Sequence, residues 1–192
     1  MSRTSALTVL IGGRGFALHA APQLQPSGAD ALAIGGPQGG VAHFVDEDTF
    51  SVLAAPIDVR LPEAHPVALF TALHALEPLA VGTTRLERRG GRTRARAVVH
   101  DLGAEPTTRP DWVEAAFADG LTKLEAAGVA LAVTPVLGTA HAPIARTVAL
   151  AAMVRGALRV PARATRMVAV VVDAAVDRLA LEDVLFARGA PP

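Results

Sequence analysis

Two glycine-containing loops and a scatter of histidines carry the residue types that suit ligand chemistry. The first loop is Gly138-Thr139-Ala140-His141, between the apolar run Val129–Val133 and a helix expected to open at Pro143. A helix start offers unpaired N–H groups and a positive dipole end, which suit a phosphate. Thr139 adds a hydroxyl donor and His141 a ligand contact, whereas Pro143 brings no N–H and leaves one donor fewer. On these residues alone, a plain strand-to-helix turn without ligand is the favoured reading. The second loop holds Gly35, Gly36, Gly39 and Gly40, where the missing side chains permit close backbone approach to a ligand. A simple surface loop explains that cluster slightly better.

The remaining candidates read mainly as structure. His100 and His141 are the histidines placed for acid–base work, but His100 is expected to be a partly buried strand-end residue that orders a loop. His19, His43, His65 and His74 show no metal-ligand spacing, so no metal is expected. Asp46, Glu47 and Asp48 make a short acidic run, which reads as a solvated turn ahead of a paired-carboxylate site. The run of arginines from Arg85 to Arg96 has no interleaved aromatic for base stacking, so nucleic acid is an unfavoured partner and an exposed charged hairpin is expected. Walker-type, Gly-x-Ser-x-Gly and complete dinucleotide fingerprints do not occur, and Gly13-Arg14-Gly15 is only a fragment of the last. The chain has no cysteine, which removes thiolate chemistry and disulfides.

The elements that must position these residues are clearest in the second half. Ala97–His100 is an apolar strand. Asp111 and Glu114 have capping-box spacing at a helix start, and Val113, Phe117, Leu121 and Leu124 follow at helical intervals until Gly128. Strands Val129–Val133 and Met167–Val172 alternate with helices Pro143–Leu158 and Ala174–Arg188. Earlier, Leu7–Ile11 and Ala29–Ile34 read as buried strands, and Val41–Val45 and Phe50–Leu61 as strand-like. Pro66–Leu76 reads as a helix, and Gly82–Arg96 as a hairpin turning at Gly90-Gly91. Strand–helix alternation demands parallel strands with helices over them. The expectation is one α/β domain over residues 1–192, in three α/β/α layers with a mixed, largely parallel central sheet.

The order of these segments resembles a macro domain. Ala97-Val98-Val99-His100 resembles the family's strand ending in a Val-His pair, and Leu131 to Ala140 is similar to its strand and phosphate loop. Leu79 to Thr84 resembles a Gly-x-x-x-Thr stretch, and Ala29–Ile34 the strand leading to the distal-ribose loop. The resemblance implies a module binding ADP-ribose or a related nucleotide diphosphate through Gly35, Gly36, Gly39, Gly40, Gly138, Thr139, Ala140 and His141. With it, the ligand and plain-turn readings of the second loop weigh equally. The departures weaken catalysis. The chain has no Asn where hydrolytic members carry one, Gly12-Gly13-Arg14-Gly15 stands where an acidic residue reads adenine, and Ala140 replaces a loop glycine.

Composition bounds the alternatives. Of 192 residues, 51% are hydrophobic, enough for a sizeable core, and net charge is zero. No stretch nears the ~20 apolar residues of a membrane helix and no secretory leader is visible, so a cytoplasmic protein without membrane contact is expected. Three functions remain in view: the nucleotide module, a macro-like domain kept for contact with a protein or a second copy, and a hydrolase of phosphorylated or ADP-ribosylated substrates. The hydrolase ranks last, because no base–nucleophile pair is visible and no cofactor is implied.

Overall fold

A computed structural model describes residues 8–20, 40–49, 79–89, 92–103, 105–140, 143–172 and 175–188. Among them, eight strands form one sheet. They are β1 (Thr8–Ile11), β2 (Arg14–Ala20), β3 (Val41–Asp48), β4 (Thr83–Arg89), β5 (Arg92–Asp101), β6 (Thr107–Thr108), β7 (Leu131–Pro135) and β8 (Met167–Val172). The strand order is β1-β2-β8-β7-β3-β5-β4, with β6 also paired to β5. The run β2-β8-β7-β3-β5 is parallel, and β1, β4 and β6 pair antiparallel. The sheet is therefore mixed and largely parallel, as the alternation predicts. The expected segments Ala29–Ile34, Phe50–Leu61 and Pro66–Leu76 lie outside the described residues.

The start of the sheet differs from expectation for a steric reason. Gly12, Gly13 and Gly15 read as a stop, yet Gly12 and Gly13 form a two-residue turn with φ of 57° and 81°. Positive φ at both positions suits the twist of a tight hairpin, and the chain returns at once as β2 in register Ile11↔Arg14. Arg14 is wholly buried. Its guanidinium donates to the carbonyls of Thr165, Ala157, Val160 and Pro161 at 2.6–3.1 Å and to Glu125 Oε1 at 2.7 Å. Five charge-assisted bonds offset the desolvation of that cation.

Three helices, α1 (Pro110–Ala126), α2 (Arg146–Leu158) and α3 (Ala175–Phe186), pack side by side in one layer. Pro110, with φ preset for a first helical position, starts α1. The expected capping box is not made: Arg109 is the N-cap without a side-chain bond. Asp111 instead pairs with Arg109, and Glu114 is buried against Arg155 and Arg159 of α2. Phe117, Leu121 and Leu124 face the sheet with zero exposure, and Phe117 meets Phe44 of β3 at 5.1 Å between ring centres. Gly120 lets α1 sit on that ring, since a Cβ there would lie 2.5 Å from Phe44 Cε1. Gly128, with φ of 69°, follows the helix end as predicted.

Candidate functional site

Parallel pairing gathers the carboxyl ends of β2, β8, β7, β3 and β5 along one edge, where open α/β sheets place ligands. The chain leaving β7 there turns through Val136 to Ala140. Gly138 adopts φ of 85°, and a Cβ on it would lie 2.7 Å from Val113 Cγ2. Both the backbone conformation and the packing therefore require glycine. Thr139 Oγ1 donates to Val136 O at 2.7 Å, and Ile144 N donates to Gly138 O at 3.2 Å, which closes the loop on itself. The Thr139 hydroxyl is thus bonded within the turn, whereas the sequence reading left it as a phosphate donor.

The three successive N–H groups of Gly138, Thr139 and Ala140 converge on one point. They donate to Asp46 Oδ2 at 2.9, 3.0 and 3.1 Å. This is an oxyanion cradle whose occupant is a carboxylate of the chain itself. It is not a helix N-terminus: α2 begins at Arg146, with Ala145 as N-cap, three residues later than the sequence suggests. The helix expected at Pro143 therefore starts later, because Ile144 N is spent in closing the loop on Gly138 O.

Asp46 stands near the carboxyl end of β3, held by β5 through the pairing Asp46↔Ala97. Its side chain is 7% exposed. Oδ1 lies 2.9 Å from His100 Nε2. Among the described residues Oδ1 is a buried acceptor without a hydrogen-bond partner. His100 is fully buried rather than partly so, and its Nδ1 meets Thr108 Oγ1. The histidine thus ties β5 to β6 in the structural role expected of it.

The acidic run is not a solvated turn. Glu47, Asp48 and Thr49 are all buried. Arg96 bonds Glu47 Oε1 at 2.5 Å and Glu87 Oε2 at 2.8 Å, which neutralises part of the hairpin's positive charge. Burial pushes the Glu47 carboxyl above its ordinary value against the pull of Arg96. Thr49 Oγ1 and His19 Nε2, at the carboxyl ends of β3 and β2, are buried and have no hydrogen-bond partner among the described residues. Burial, then the positive charge of Arg178, lowers the His19 pKa. A buried unpaired polar group costs about 1–3 kcal/mol, and three of them, with Asp46 Oδ1, share this edge of the sheet.

Beside the cradle a cavity of about 530 Å³ is lined by Thr139, Pro143, Ile144, Arg146, Ala180 and Leu181. Of the eight site residues drawn from the sequence, Gly138, Thr139 and Ala140 are brought together. Gly40 is not: its carbonyl accepts from Ala130 N at 3.1 Å at the amino edge of the sheet. Six residue-to-residue steps along the chain separate it from Asp46, roughly 20 Å at about 3.3 Å per step. Gly35, Gly36, Gly39 and His141 lie outside the described residues. Asp46 is the site residue that sequence reasoning missed. Its signal was parity, because Ala42, Phe44 and Asp46 share one face of β3 and the first two are buried.

The whole arrangement has the macrodomain fold, consistent with the three-layer α/β/α form that the element order predicts, and the three described helices supply one of its helical layers. The chain superposes on an Oceanobacillus iheyensis macrodomain with ADP at a TM-score of 0.63 and 12% identity, covering 97% of each chain. A mutant of that macrodomain with ADPR gives 0.60 at 12% identity, covering 95% of this chain and 98% of the other. A Trypanosoma brucei macrodomain in complex with ADP gives 0.55 at 14% identity, over 88% and 68%. No family model matches the chain, and no curated protein matches it in sequence.

Proposed function

We propose that this chain is a binding module for ADP-ribose or a related nucleotide diphosphate, with a ligand phosphate oxygen taking the position of Asp46 Oδ2. The observation that carries this reading is the convergence of three consecutive amides on one oxygen. Such a cradle suits an oxyanion and offers little to a neutral group. The likeness to macrodomains with ADP and ADPR supports the ligand class, and the adjoining cavity offers room for the rest of the molecule. Calorimetric titration with ADP-ribose tests it. Saturable one-to-one binding is expected, with a rise in thermal stability of roughly 2.7 kcal/mol at 100 times the dissociation constant. No heat and no stabilisation at millimolar ADP-ribose, ADP or NAD would sink the reading.

One observation favours a second reading. The cradle is already satisfied by a carboxylate of the chain, as expected of a macrodomain scaffold kept for contact with a protein or a second copy. Leu179 and Phe186, one face of α3 at 73% and 50% exposure, are apolar surface suited to such contact. Under this reading no nucleotide binds, even when the carboxylate is removed.

A further inference from the structure

We infer that Asp46 sets the affinity and selectivity of the site, as an internal anion that competes with a ligand's phosphate for the same three amides. The inference rests on the nucleotide reading above. The carboxylate oxygen and a phosphate oxygen require the same point, since each of the three N–H groups has one hydrogen to give. Two anions cannot share that point, so Asp46 must leave before the ligand enters.

Asp46 cannot leave with its strand. The β3 backbone is paired to β5 from Ala42 to Asp48 and to β7 from Val41 to His43. Only rotation of the side chain frees the amides, and rotation takes the charge away from three hydrogen bonds in a site where 7% of the side chain sees solvent. The closed arrangement is therefore the ground state. Apparent affinity falls by the fraction of molecules in which the cradle is open. A ligand without an oxyanion has nothing to place in the cradle, so the competition falls on anionic ligands alone. Asp46 thus acts as a positioning and selecting residue in the binding site, with no bond made or broken.

The test compares the wild-type chain with Asp46→Ala, which empties the cradle, and Asp46→Asn, which keeps the shape and removes the charge. The amide proton signals of Gly138, Thr139 and Ala140 are followed by NMR during titration with inorganic phosphate, and ADP-ribose affinity is measured by calorimetry. The expected result is that phosphate moves the three signals in Asp46→Ala and leaves them unmoved in the wild type. ADP-ribose binds Asp46→Ala at least tenfold tighter than wild type, with Asp46→Asn between them. Equal ADP-ribose affinity in all three proteins overturns the role of Asp46 and leaves the nucleotide reading standing. Phosphate entering the Asp46→Ala cradle while ADP-ribose binds none of the proteins upholds the competition and removes the nucleotide reading. A folded Asp46→Ala whose amides ignore both probes overturns both. Should that variant fail to fold, Asp46→Asn decides: affinity no greater than wild type overturns the inference.

Discussion

Glu125 shows how one carboxylate gathers distant backbone. It accepts from Arg14, from the N–H groups of Arg163 and Thr165, and from Ala164 N at 2.6 Å. Burial works to raise its pKa, but the Ala164 N–H, the Arg14 hydrogen bond and the Arg163 N–H outweigh it and hold the value below the ordinary 4.5. A carboxyl with a lowered folded pKa stabilises the fold fully above its unfolded value. That contribution drains as pH falls below about 4.5 and through the lowered folded value. Urea unfolding from pH 7 to pH 3 should therefore show wild type losing more stability than Glu125→Gln. Parallel curves would mean that the carboxylate contributes nothing by its charge. The same residue-scale logic governed what the sequence disclosed. Gly138 was legible because a small residue at a strand-to-helix junction signals an unusual backbone. Asp46 was not, because its partners stand 92 to 94 positions away and three adjacent carboxylates read as a turn.

At the scale of elements, α1 and α2 cross through small residues. A Cβ on Gly156 would lie 2.5 Å from Glu114 O. Replacing glycine by alanine inside a helix ordinarily gains about 1 kcal/mol. Here the obstacle is backbone, which cannot swing aside, and overpacking costs about 1–3 kcal/mol. Gly156→Ala should therefore lower stability by up to about 2 kcal/mol in chemical denaturation, and a more stable variant would show that the helices part freely. Helical spacing made α1 readable from Val113 to Leu124. Its first turn was less readable, since Asp111 and Glu114 carry cap chemistry and yet serve Arg109 and α2. The second strand escaped notice because Gly15 reads as a breaker. In the sheet it is a close-packing position against Met167.

Seen whole, the sheet has two unlike edges. The carboxyl edge holds the cradle and three buried polar atoms without partners among the described residues, whereas at the amino edge the Gly40 carbonyl accepts from Ala130 N. Order of segments made the largely parallel architecture legible. Chemistry at the edge was less so, because it depends on which strand ends meet, and that is set by crossovers. The hairpin β1–β2 depends on the opposite end of the chain for its burial. Among described strands β2 pairs only with β1 and β8, and Arg14 bonds Thr165, 151 residues away. A fragment ending at residue 150 should thus leave that hairpin unprotected in amide hydrogen exchange, while strong protection there would show that it stands alone.

The buried arginine therefore also makes the hairpin conditional. Its guanidinium finds its carbonyl partners only between Ala157 and Thr165, so β2 can bury that cation only against a stretch made long after it. Away from that stretch, desolvating the charge is costly, and the cation holds the strand in water.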